Sequence, residues 1–223
     1  MRKKGILLTA FLLVAIGLYS QTDELREDTR KAVLQIISAF EKNDAQKISE
    51  LVKYPLKREY PLPNIANKKD FVQRFNQIFD TGFVEKIKNS KMSDWSEMGW
   101  RGIMFGNGEL WLDDEGKIIA VNHQSEAEKA LLQNLIEKQK NEDYSFLKDL
   151  EKPVYLIETK NYRILIDELS NGDYRYSSWK INAPKNSKPD IEIRKGTLEF
   201  EGSGGNHTIN FKNNIYTYKI TVN

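Results

Sequence analysis

The chain has 223 residues, with 34 Lys and Arg against 32 Asp and Glu, no cysteine, and only two histidines, His123 and His207. That composition excludes disulfides, thiol nucleophiles and iron–sulfur clusters, and it leaves too few nitrogen and sulfur ligands for the usual zinc sets. The near balance of charge gives no overall pull toward a phosphate backbone, so a nucleic-acid partner is not expected.

Arg2, Lys3 and Lys4 precede an uncharged, mostly apolar run over residues 5–18. A basic start followed by a short apolar core has the form of a secretory signal, with Gly17 and Ser20 before a cut at Ser20-Gln21. The run is shorter than the roughly 20 residues that span a bilayer, so no permanent membrane anchor is expected once residues 1–20 are removed. No cysteine follows it to carry a lipid. Loss of those three basic side chains takes the formal charge from +2 to −1. The chain is therefore expected outside the bacterial cytoplasm, periplasmic or secreted. About 200 remaining residues bury roughly 70% of their unfolded surface, enough for one large core or two small ones.

From residue 23 the pattern is helical. Leu25, Ala32, Val33, Ile36, Ile37 and Phe40 form one stripe, ending near Asn43-Asp44. A shorter helix through Ile48, Leu51 and Val52 stops before Tyr54-Pro55, because the residue before proline is pushed out of the helical region. Pro55, Pro61 and Pro63 mark an extended connector. Asn67, with Asp70 three residues on, starts a third helix whose inner face is Phe71, Phe75, Ile78, Phe79 and Phe83.

After Ser96 the period becomes two. Residues 100–105 and 109–112 flank Gly106-Asn107-Gly108, a hairpin signal, and residues 113–116 turn into a third strand over 117–121. Ser125 and Glu128 have capping-box spacing and open a helix with Ala130, Leu131, Leu135 and Ile136 inward. This gives one unit over residues 21–145, a connector over 146–152 and a second unit over 153–223. In the second unit Tyr162/Ile164/Ile166, Tyr174/Tyr176/Ser178, Ile191/Ile193, Ile209/Phe211 and Tyr216/Tyr218/Ile220/Val222 alternate with polar neighbours between turn signals. Six short strands at this spacing predict an antiparallel sandwich or small barrel.

Residues 51–56, Leu-Val-Lys-Tyr-Pro-Leu, then 67–71 and Phe79, resemble a pattern in uncharacterised exported bacterial proteins. So do residues 100–104, Trp-Arg-Gly-Ile-Met, followed by residues 106–111, Gly-Asn-Gly-Glu-Leu-Trp. Helices followed by a meander, with an aromatic third helix, resemble the NTF2-like or cystatin-like folds, over about half of the chain. The resemblance implies an α+β fold, with a helix-plus-antiparallel-sheet cone ahead of the all-β unit. Such folds host both enzymes and binding modules. Enzymes among them often place an Asp–His or Asp–Tyr set inside the cone, yet no catalytic residue carries over, and His123 is the one histidine in the matching half. The second unit is loosely similar to small periplasmic lysozyme-inhibitor β domains, without their cysteines or any inhibitor motif.

Two aromatic clusters are candidate sites. Trp95, Trp100 and Trp111, with Arg101 and Met104, either line a pocket or partner surface or fill the core against the phenylalanine helix. Arg101 fits packing less well, since arginine beside aromatics usually meets a carboxylate or a ligand. Tyr174 and Tyr176 share one strand face, with Arg175 and Trp179 on the other; one face packs on the core and the other is open to a glycan or protein.

Other features favour plain readings. Residues 113–115 are acidic without calcium-loop spacing and read as a solvated turn. Residues 202–205, Gly-Ser-Gly-Gly, lack the lysine and helix of a phosphate loop and read as a hairpin tip. Asn206-His207-Thr208 fits a glycosylation pattern that a bacterial exported chain does not use. His123, with Glu126 nearby, is a weak acid–base candidate. Nothing points to a cofactor or a metal. The sequence therefore suggests an exported soluble binding or accessory protein of the bacterial cell envelope, with an unidentified envelope protein, glycan or small ligand as partner. The alternative is a small-molecule enzyme using an NTF2-like cavity, with His123 as acid or base.

Overall fold

A computed structural model describes residues 25–202 and 205–222. The expected leader, residues 1–20, lies outside the described residues, as do Ser203 and Gly204 of the glycine-rich tip. No helix among the described residues is long and apolar enough to cross a membrane.

The fold is mixed α and β. Helix α1 (Glu27–Glu41) buries Val33, Ile36, Ile37 and Phe40, the stripe read from its period. In α2 (Ala45–Ser49) the Asp44 side chain accepts from the Gln46 and Lys47 amides. Helix α3 (Lys68–Ile78) starts at Asn67, whose side chain accepts from the Asp70 amide.

The third helix does not run on to Phe83 as its aromatic spacing predicts. Phe79 leaves helical geometry, and Asp80 caps a separate helix, α4 (Thr81–Lys88), by accepting from the Phe83 amide. An aspartate that satisfies orphan amides makes a new start cheaper than another turn of α3. The phenylalanines still form one layer: rings of Phe40, Phe71, Phe75, Phe79 and Phe83 stand 5.2–6.4 Å apart.

A four-stranded antiparallel sheet covers that layer: β1 (Trp95–Glu97), β2 (Ile103–Phe105), β3 (Leu110–Leu112) and β4 (Ile118–Val121), in that order. Trp95 opens a strand that the period-two reading did not include. Trp100 and Arg101, expected at the start of a strand, sit instead in a 3-10 turn over Gly99–Arg101. Helix α5 (Glu126–Lys138) follows, and its last turn widens over Gln139–Asp143. Ser125 accepts from the Glu128 amide, but the Glu128 side chain does not complete the expected box. It is buried against Arg58 instead, and Leu132 rather than Ala130 faces inward.

The second sheet is one six-stranded antiparallel meander: β5 (Leu150–Glu158), β6 (Tyr162–Leu169), β7 (Tyr174–Lys180), β8 (Ile191–Phe200), β9 (His207–Asn213) and β10 (Tyr216–Val222). Strand β5 begins at Leu150, inside the stretch read as a connector. The sheet is not a closed barrel; β5 and β10 remain its two edges. It curls within β8, which pairs with β7 up to Gly196 and with β9 from Thr197 onward. The curl sets Tyr176 against Phe211 and Tyr218, at 5.7 and 5.2 Å between ring centroids, and brings the Tyr155 hydroxyl to 2.8 Å from His207 Nε2.

Gly196 sits at the bend because the Phe211 ring lies over it. A Cβ there would stand 2.3 Å from that ring. Gly196→Ala is expected to destabilise the protein by about 1–3 kcal/mol through overpacking, read as an earlier thermal transition. An unchanged transition would show that β8 bends for another reason.

Candidate binding surface

Side chains in β2 and β3 alternate between the two faces of the first sheet. Ile103, Phe105, Leu110 and Leu112 point into the core, and Met104 and Trp111 point out. The register aligns Ser96, Met104, Trp111 and Ala120 as one row across the outer face. The Trp111 indole N–H donates to the Gly108 carbonyl at 3.1 Å, which fixes the plane of its ring. The Arg101 guanidinium lies 5.8 Å from the Trp111 ring centroid, in cation–π range.

Trp100 lies in the turn that leads into β2. Gly102 has φ of 93°, and a Cβ there would meet the Leu112 carbonyl at 2.1 Å, so only glycine lets the turn fold down on β3. The turn is closed by three backbone hydrogen bonds, from the Met98, Arg101 and Gly102 amides to the carbonyls of Gly102, Met98 and Gly99. Trp100 stands at its tip, 80% exposed. Because those hydrogen bonds already close the turn, its backbone gives up little conformational freedom on binding.

The other tryptophans are structural. Trp95 is buried, 4.7 Å from Phe105 between ring centroids, and its N–H donates to Ser90 Oγ at 3.0 Å. This corrects its candidacy as a binding residue: the strand it opens turns it inward. Trp179, 1% exposed, packs against Tyr144 and donates to the Ser187 carbonyl at 2.9 Å. The expectation of one open face on β7 is also corrected. Arg175 is fully buried and doubly bonded to Asp167, while Tyr176 lies inside the curl. Both faces of β7 are covered because residues 144–150 lie on one side and β9 and β10 on the other. Of that cluster, Tyr174 lines a cleft between residues 57–64 and strands β5 to β7.

His123 meets a carboxylate, but not Glu126, which pairs with Lys129. Its Nε2 lies 2.9 Å from Asp80 Oδ2, and its ring stacks on Phe83 at 4.0 Å. The other Asp80 oxygen caps α4. Burial alone would raise the Asp80 carboxyl, but the Phe83 amide and the His123 ring hold it below its ordinary value. A cavity of about 270 Å³ beside α4 is lined by Asp80 and not by His123. One nitrogen and one ring face of His123 therefore tie the segment after β4 to the start of α4.

Asp113 likewise serves its own turn: it accepts from the Glu115 and Lys117 amides and pairs with Lys53. Sequence reasoning missed the cleft walls around Tyr60 and Tyr155. They come from segments about a hundred residues apart, and no local pattern joins them. Comparison with protein-family models, with curated proteins and with solved structures finds no match.

Proposed function

We propose that this chain is an exported binding or accessory protein of the bacterial cell envelope that engages a protein or glycan through the outer face of its first sheet. The observation that carries the reading is Trp100, 80% exposed at the tip of a hydrogen-bonded turn and adjacent in sequence to Arg101, whose guanidinium lies over the Trp111 ring. Binding energy concentrates in a few Trp, Tyr and Arg anchors held in place before contact. The leader-like residues 1–20 support export. Helices α1, α3 and α4 against the inner face of an antiparallel sheet support an NTF2-like cone, and the curl of β8 supports a sandwich-like arrangement for the second unit.

The test is co-sedimentation and pull-down with two separate envelope preparations, purified peptidoglycan and solubilised envelope proteins. Trp100→Ala and Arg101→Ala are each expected to lower retention by about tenfold or more, the scale of a hot-spot contact. The unfolding free energy of Trp100→Ala should stay within about 0.5 kcal/mol of the parent, as for exposed positions elsewhere. Retention on only one preparation identifies the partner class. Equal retention of folded Trp100→Ala and Arg101→Ala on both would end this reading.

A further inference from the structure

A cleft of about 560 Å³ lies between the two units, within the roughly 300–1,000 Å³ typical of small-ligand sites. One wall is the connector at residues 57–62, which turns where the Leu62 amide donates to the Glu59 carbonyl. The other includes five successive residues of β5, 152–156. Lys152, Glu168 and Tyr174 stand in register on one face of β5, β6 and β7, and the consecutive lining residues of β5 carry the wall around to the free edge of that strand. Strand β5 has β6 on only one side, so its outer row of N–H and C=O groups has no strand partner. Pro153 has no N–H to offer a partner, and two register shifts against β6, between Leu150 and Lys152 and between Pro153 and Tyr155, bend the strand. The edge accommodates a short extended segment rather than a whole added strand.

The charges in the cleft divide into committed and uncommitted groups. Lys152 Nζ bridges to Glu59 at 2.5 Å, and the Arg58 guanidinium is held by Glu128 and by the Val121 and His123 carbonyls. Among the described residues the Lys57 and Glu168 side chains make no hydrogen bond or ion pair. Glu168 is half-buried and pairs in register with Tyr174. The Tyr174 hydroxyl is pushed up by burial and then by the Glu168 charge. An unpaired carboxylate beside aromatic rings suits an ammonium group, through charge-assisted hydrogen bonds and cation–π contact. An unpaired lysine on the opposite wall suits a carboxylate.

We propose that this cleft binds short peptides as extended zwitterions, with the ammonium on Glu168 and Tyr174, the carboxylate on Lys57, and the backbone along the edge of β5. The site is separate from the tryptophan face, and Trp100→Ala leaves it unchanged.

Isothermal titration of the protein with trialanine, tetraalanine and pentaalanine tests it. At least one length is expected to bind, and Glu168→Gln to weaken that peptide by about tenfold or more, the scale of one charge-assisted contact. N-acetylation of the peptide removes the same charge without altering the protein. It should weaken binding to the parent equally and leave no further loss in Glu168→Gln. C-terminal amidation and Lys57→Gln should show the same coupling. No binding of any length at roughly 10 mM, below the affinity of even millimolar complexes, overturns the proposal. So does binding that ignores N-acetylation or Glu168→Gln, and equal affinity for the amidated peptide overturns the zwitterion assignment.

Discussion

Glu128→Ala is expected to cost about 3–5 kcal/mol and to lower the melting temperature by on the order of 10 °C. The Glu128 side chain is fully buried at the first turn of α5, and Arg58, also buried, reaches it from the proline connector. The guanidinium Nε donates to Glu128 Oε1 at 2.9 Å, a second nitrogen donates to Oε2, and the Val121 and His123 carbonyls each accept from a further N–H. Removing the carboxylate leaves a charge in a site closed to water with only neutral acceptors. The uncompensated cation, rather than the lost attraction, is the source of the cost. The double replacement Arg58→Met/Glu128→Leu should therefore recover most of the loss, since it removes both charges and fills similar volume. Urea unfolding of the three variants checks this. A loss below about 1 kcal/mol for Glu128→Ala, the scale of an exposed pair, would mean that water reaches Arg58.

The second large effect is a pH dependence at the other buried pair. Asp167 and Arg175 share two hydrogen bonds, at 3.1 and 2.7 Å, on adjacent strands of the curled sheet. Burial pushes the Asp167 carboxyl up to about 6 from its ordinary value of 3.8, against the downward pull of the Arg175 hydrogen bonds and charge. A carboxyl with a raised folded value binds a proton more tightly in the folded chain than in the unfolded one. Its stabilising contribution is fully present below about pH 4 and is lost as pH rises through about 6. The change is on the order of 3 kcal/mol, two pK units at about 1.4 kcal/mol each. Asn at this position cannot titrate. The stability of the parent minus that of Asp167→Asn should therefore fall between pH 4 and pH 6 and stay level above about 7, other carboxylates cancelling in the difference. A difference that stays level across the whole range would mean that Arg175 keeps Asp167 ionised throughout.

Much of the secondary structure was legible locally. The α1 stripe, the starts at Asn67 and Ser125 and the hairpin at residues 106–108 depend on a few neighbouring side chains, and all appear. The break between α3 and α4 was also encoded locally, in Asp80, but the phenylalanine spacing runs straight through it. Apolar period and capping compete at such a point, and the cap prevailed.

The candidate site was legible only in composition. Trp95, Trp100 and Trp111 are one residue type within seventeen positions, yet one is core, one is solvent-facing and one is half-buried. What separates them is the turn that Gly102 allows, which takes Trp100 out of the ladder and sets which residues of the next strand point outward. Parity on β7 was read correctly, with Tyr174 and Tyr176 opposite Arg175 and Trp179. Parity says which side chains share a face, but not whether a face is covered.

The sequence by itself determined the mixed α and β character, most of the elements and the absence of thiol chemistry. These follow from residue type, period and capping, all of which act over a few positions. The tertiary structure alone decided which aromatic groups meet solvent, that Arg58 and Arg175 are buried with their carboxylates, and that residues 57–62 and β5 enclose a cleft. Burial and ion pairing depend on which distant segments come together, and that is set by how the sheets curl and pack rather than by neighbours along the chain.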